Sequence, residues 1–168
     1  GIYLVPGANN GLYTSVYEVL LGTSTGANLG RLVNVENIIG TPVDDNIQLI
    51  GNSLDHFINA GEGNNVITTF GGNDAIFSGS GNDVINVGSG SAIIQAGNGV
   101  NQITALDGAS FEITTGSGAD TITLGNDTVY DVSSVNHVSA GDGQNIIQVG
   151  AGSFVINTGA SADVITVV

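Results

Sequence analysis

The chain contains no cysteine, methionine or tryptophan, only two prolines, and a single basic side chain, Arg31, in 168 residues. The missing cysteines exclude a disulfide framework, though not secretion. The near-absence of basic residues excludes nucleic acid and anionic membrane surfaces as partners, because both need a basic footprint. Asp and Glu number 15 and set the net charge at −14, which leaves divalent cations as admissible ionic partners. No apolar run approaches the roughly 20 residues of a membrane span, so membrane insertion is not expected. The chain starts at Gly1 with no basic-then-apolar leader. It is expected to be a processed chain or a piece of a longer one.

What is present points to β structure. With 41% apolar and 10% charged residues, the chain is too hydrophobic for disorder. Its 27 glycines, together with abundant Asn, Thr, Ile and Val, make a strand-and-turn composition. Isoleucine recurs every nine residues at Ile67, Ile76, Ile85, Ile94 and Ile103. After a one-residue slip come Ile113 and Ile122, and after a longer interruption Ile147, Ile156 and Ile165. No helix has a period of nine. A chain that turns a corner every nine residues and lays one strand per side does, and internal repeats of this kind set the architecture.

Residues 1–39 are less regular. Pro6-Gly7 and Asn9-Asn10-Gly11 are turn signals, and residues 15–21 (SVYEVLL) alternate well enough for a strand. This stretch is expected to be looser coils of the same winding or a separate docking segment.

From Arg31 the pattern tightens. Gly79-Ser80-Gly81-Asn82-Asp83-Val84-Ile85 and Gly116-Ser117-Gly118-Ala119-Asp120-Thr121-Ile122 are its fullest forms, and Gly71-Gly72-Asn73-Asp74-Ala75-Ile76 lacks one glycine. These segments resemble the RTX (repeats-in-toxin) nonapeptides of bacterial secreted proteins, G-G-x-G-x-D-x-U-x with U a large apolar residue. The resemblance covers about residues 40–168. It implies an all-β fold, a right-handed parallel β-solenoid of the β-roll kind with about 18 residues per coil. Applied here, it gives coils at 40–60, 61–78, 79–96, 97–115, 116–140 and 141–158, with half a coil at 159–168, and a loop insertion near 125–140.

Because strand side chains alternate, each repeat position becomes a column along the solenoid. The isoleucines face inward. Two residues before them lies the aspartate position of the resembled family. On one side it reads Asp45, Asn65, Asp83, Asn101, Asp120, Asn145, Asp163; on the other Asp55, Asp74, Ala92, Phe111, Val129, Phe154. The resemblance implies calcium between successive turns, with Asp45, Asp83, Asp120, Asp163 and Asp74 as candidate ligands. Calcium takes six to eight oxygens, and each gap here offers one carboxylate beside one amide. The metal-free alternative is a ladder in which each Asn donates its amide hydrogens to the neighbouring Asp.

No catalytic constellation is expected. Ser53, Asp55 and His56 are neighbours in sequence, and Asp131, Ser134 and His137 cluster, but a triad requires mutual geometry rather than proximity along the chain. Outside each isoleucine of the first side stand Val66, Val84, Gln102, Thr121, Ile146 and Val164, a β-branched run suited to lateral docking or covered by another segment. The main expectation is a non-catalytic extracellular or cell-surface subunit that associates with itself, stacking head to tail into a fibre through its apolar last strand. The alternative is a calcium-binding RTX module of a larger secreted or surface protein of a bacterium. A minor alternative, ice binding, rests on the column Thr68, Thr104, Thr123 and Thr166.

Overall fold

A computed structural model describes residues 3–6, 17–20, 36–49, 53–105, 108, 110–127 and 135–168. Among the described residues there are 16 strands, β1 to β16 in chain order, and no helix. One sheet runs in the order β1 (Tyr3–Pro6), β2 (Tyr17–Leu20), β3 (Asn37–Ile39), β5 (Phe57–Asn59), β7 (Asn73–Phe77), β9 (Ser91–Gly97), β11 (Ser110–Thr115), β13 (Asn136–Ser139), β15 (Phe154–Asn157). The other runs β4 (Asn46–Gln48), β6 (Val66–Thr68), β8 (Val84–Val87), β10 (Gln102–Ala105), β12 (Thr121–Leu124), β14 (Ile146–Val149), β16 (Val164–Val167). From β3 onward the chain alternates between the two sheets, and every neighbouring pair within a sheet is parallel. The result is a parallel β-solenoid of about seven coils with about 18 residues in each.

The register follows the nine-residue period. Ile67, Ile85, Ile103, Ile122 and Ile147 are successive partners in one sheet, and Ile58, Ile76, Ile94, Ile113 and Val138 in the other. All ten are buried and face each other across a single core. Like side chains stack on like because a parallel ladder fixes their spacing, and the two isoleucine faces fill the gap between the sheets. Val84 and Thr121 are outward neighbours of these isoleucines and are half-buried, while Val66, Ile146 and Val164 in the same outward column are exposed.

Two stretches are richer than expected. β3 lies inside the irregular residues 1–39 yet pairs with β5 in register, and β2 pairs in parallel with β3. β13 lies inside the stretch expected to be an insertion, and its register with β11 and β15 is that of any other coil. The surplus residues of that coil therefore precede Asn136.

Glycine is indispensable at the corners for a reason of stacking. Gly118 has φ +142°, and a Cβ built on it would fall on the carbonyl oxygen of Gly99 in the coil before. Corners laid one on another at strand spacing leave no room for a side chain there.

Candidate metal centre

The corner preceding each strand of the seven-stranded sheet carries the aspartate position of the repeat. Its residues form one continuous ladder of backbone-to-side-chain hydrogen bonds. The backbone N–H of Asp45 donates to Asn65 Oδ1 (2.9 Å), that of Asn65 to Asp83 Oδ1 (2.8 Å), and that of Asp83 to Asn101 Oδ1 (3.1 Å). Asn101 N–H then donates to Asp120 Oδ1 (2.8 Å), Asp120 N–H to Asn145 Oδ1 (3.0 Å), and Asn145 N–H to Asp163 Oδ1 (2.9 Å). From Asn65 onward, each side chain thus accepts one bond from the preceding coil, whether it is an acid or an amide.

The second side-chain atom distinguishes the two residue types. The Asn65 amide donates to its own corner carbonyls, Gly61 O and Gly63 O, each at 3.3 Å, and to Ser78 O at 3.0 Å. Asn101 does the same to Gly97 and Gly99, and Asn145 to Gly141 and Gly143. The amide hydrogens therefore do not go to the neighbouring carboxylates, as the metal-free ladder requires. The inter-coil bond is made by the amide oxygen on one side and by the asparagine backbone N–H on the other.

At Asp83 and Asp120 that has a consequence. Both residues are fully buried, and Oδ2 of each has no hydrogen-bond partner. The Ser78 and Thr115 hydroxyls lie beside these carboxylates, but they bond to the carbonyls of Ala96 (3.3 Å) and Ala140 (2.8 Å). Burial pushes both carboxyls above the usual carboxylate range, and the bonds from the Asn65 and Asn101 ladder N–H groups, with the nearby polar side chains, only partly offset it. Asp163 goes the other way: the bond from the Asn145 N–H lowers it.

These directions predict an inverted acid response. A carboxyl that binds its proton more tightly in the folded state adds stability that is full below its unfolded pKa of about 3.9 and lost as pH rises through the folded value. In chelator, the melting temperature is expected to rise as pH falls from neutrality toward the ordinary carboxylate range. The rise should shrink in an Asp83→Asn/Asp120→Asn variant, measured by circular dichroism. An equal rise in both proteins would assign it to relief of the −14 net charge instead.

The remaining candidates differ. Asp45 is satisfied by Thr41, whose N–H reaches Oδ2 at 2.7 Å and whose hydroxyl reaches it at 3.1 Å. Asp163 stands on the outermost described coil and is half-buried. Asp74 belongs to the other sheet and is paired with an imidazole. Its Oδ1 lies 2.7 Å from His56 Nδ1 and accepts the His56 backbone N–H at 3.1 Å, while its buried Oδ2 has no hydrogen-bond partner.

His56 also corrects the second column. The expected column has Asp55 there, but Asp55 is exposed and accepts from Asn73, while His56 is buried two residues before Ile58. The coil from β3 to β5 is two residues longer than the next, since Asn37 pairs with Phe57 whereas Phe57 pairs with Ala75. Counting 18 residues forward from the first coil therefore falls short of the column, whereas counting back 18 from Asp74, or two from Ile58, gives His56. Val129 lies outside the described residues; Asn136 fills its place and accepts the Phe111 N–H at 2.8 Å. The column reads His56, Asp74, Ala92, Phe111, Asn136, Phe154. It is polar only where a ladder bond is made or an acid is paired. Ser53 is exposed and His56 is buried, so no Ser-Asp-His arrangement forms there. Asp131 and Ser134 lie outside the described residues.

Among the described residues no three carboxylate or imidazole groups converge. The donor set at Asp83 and Asp120 nevertheless fits calcium in kind. It comprises a buried carboxylate oxygen without a donor and a neighbouring hydroxyl, in the column position where the asparagines of the other coils reach their corner carbonyls. All are hard oxygen ligands. One carboxylate per corner makes such a site weak.

The family model of the RTX calcium-binding nonapeptide repeat matches residues 50–85, 123–153 and 139–166. No curated protein and no solved structure gives a significant match.

Proposed function

The chain belongs to the RTX calcium-binding nonapeptide repeat family, and from that premise we propose that it is a non-catalytic calcium-binding β-solenoid module of a larger secreted or cell-surface protein. The observation that carries this reading is the partnerless, buried Oδ2 of Asp83 and of Asp120, in the column where the repeat places its aspartate. A buried carboxylate oxygen without a donor is costly. A cation held by that oxygen, the adjacent hydroxyl and the corner carbonyls removes the cost. Calcium supplies charge neutralisation and cross-linking of neighbouring coils; it does no chemistry on a substrate. Single-carboxylate sites suit the weak affinities of extracellular modules, on the order of 10⁻⁴–10⁻³ M, and this favours a location outside the cell.

The test is a thermal melt in chelator and in millimolar calcium. Calcium is expected to raise the melting temperature by several degrees, since ligand in excess of Kd stabilises the state that binds it. Most of the increment should vanish in Asp83→Asn/Asp120→Asn. Equal melting of the parent protein with and without calcium overturns the reading.

Head-to-tail self-association is the second reading. β16 is the outer strand of its sheet among the described residues, in unbroken register with β14, and Ile165 stands half exposed in the column whose other members are buried. A further coil laid on β16 completes that column, and in this reading a second copy supplies it. Fibres seen by negative-stain microscopy that lengthen with protein concentration support it; monodisperse particles overturn it.

A further inference from the structure

We propose that the solenoid is built from two kinds of coil in alternation, and that in every second coil an asparagine amide takes the place of the cation, so that those coils close without metal. The calcium requirement of the acid coils rests on the calcium-module reading; the metal-free closure of the amide coils does not.

The first observation is positional. Asn65, Asn101 and Asn145 each point Nδ2 at two glycine carbonyls of their own corner, four and two residues before them. Asp83 and Asp120 occupy the same column with the same Oδ1 bond, so their second atom is an oxygen where the asparagines have an NH₂. That oxygen has no partner. An amide places two donors among carbonyl oxygens, as a cation places charge among them. A carboxylate in that position adds a third acceptor and requires the cation.

The second observation is independent and lies on the opposite strand. Five residues before each amide the chain has alanine: Ala60 before Asn65, Ala96 before Asn101, Ala140 before Asn145. Five residues before each of the later acids it has a hydroxyl: Ser78 before Asp83, Thr115 before Asp120, Thr158 before Asp163. In the first coil Thr41 serves Asp45 from four residues away. The six side chains from Ala60 to Thr158 end the inward face of successive strands, and those before Thr158 are buried. Methyl goes with amide and hydroxyl with carboxylate at every described coil. Where the amide satisfies the corner carbonyls a hydroxyl has nothing to add; where the carboxylate leaves an oxygen bare, the hydroxyl supplies a further ligand or a donor. The alternation also sets successive buried carboxylates of this column two coils apart, so that no two of them share a gap.

Exchanging the coil types tests this. Ala96→Ser/Asn101→Asp converts an amide coil into an acid coil. In chelator the variant is expected to melt several degrees below the parent, and calcium should restore it. Calorimetric titration should count one more calcium ion per chain than in the parent. If the variant does not fold in chelator, refolding with calcium is the readout, and recovery is expected. A variant that melts like the parent in chelator, or that calcium fails to restore, overturns the inference. The reciprocal exchange, Ser78→Ala/Asp83→Asn, is expected to melt higher than the parent in chelator; a lower melting temperature overturns the inference too. A parent indifferent to calcium beside an Ala96→Ser/Asn101→Asp variant that responds to it would sink the calcium-module reading and leave the amide substitution standing.

Discussion

Truncating Ile103 to alanine is expected to lower the unfolding free energy by about 3–5 kcal/mol, the upper part of the range for buried aliphatic-to-alanine changes. Ile103 is fully buried, with Ile85 on one side of it and Ile122 on the other in the same column. The cost of such a change depends on how far the surroundings collapse into the cavity. Here they are held apart: β10 is bonded in parallel to both β8 and β12, so neither neighbouring isoleucine can approach without breaking a ladder. The outward-facing Val84 makes a suitable control. It is half-buried on the adjacent strand, and Val84→Ala should cost about 1 kcal/mol. Equilibrium urea denaturation measures both. Equal losses would mean that the isoleucine column is not the core.

That column is the most legible part of the molecule. A period of nine, alternating between two sides, has one economical explanation in three dimensions, and Ile85, Ile103 and Ile122 all face inward as that explanation requires. The acid-amide column is legible for the same reason, because it sits at a constant offset from the isoleucines wherever the coil length is constant. Where coil length changes, the offset still holds but the strand it is counted from is harder to place. His56 stands two residues before Ile58 and Asn136 two before Val138, but the long coil from β3 to β5 and the step of 25 positions from Ile122 to Ile147 hide which residues begin those strands.

The direction of the asparagine amides is not legible at all. An amide between two carboxylates in a column invites pairing along the column, but the ladder is already occupied by backbone N–H groups, so Nδ2 turns sideways to the corner carbonyls. The partnership of Ser78 with Asp83 and of Thr115 with Asp120 is written in the sequence at a spacing of five. It acquires meaning only once the end of one strand is seen to lie beside the following corner.

Replacing Asn65 with alanine is the second large effect, and it separates the ladder's contribution from that of the core. Asn65 is fully buried and makes bonds at both ends of its side chain. Its Oδ1 accepts the Asp45 N–H, and its Nδ2 serves Gly61 O, Gly63 O and Ser78 O. Truncation strands that one donor and those three acceptors, while the Asn65 N–H keeps its bond to Asp83. A buried polar group left unsatisfied costs about 1–3 kcal/mol. Gly61 and Gly63 are half-buried, so water relieves part of the loss at their carbonyls, whereas Ser78 O is left in the interior. The expected loss is on the order of 3–5 kcal/mol, comparable to that of an isoleucine, from a residue that buries little apolar surface. Calcium should not rescue Asn65→Ala, because alanine supplies no oxygen to hold the ion. Asn65→Asp keeps the Oδ1 acceptor for the Asp45 N–H but sets a carboxylate oxygen against Gly61 O, Gly63 O and Ser78 O, so in chelator it should be no more stable than Asn65→Ala, and calcium should restore it. Urea denaturation of the three proteins, with and without calcium, orders them. If Asn65→Ala were as stable as the parent, the corners would be held by glycine stacking alone, and the side-chain ladder would be a consequence of the coil rather than one of its causes.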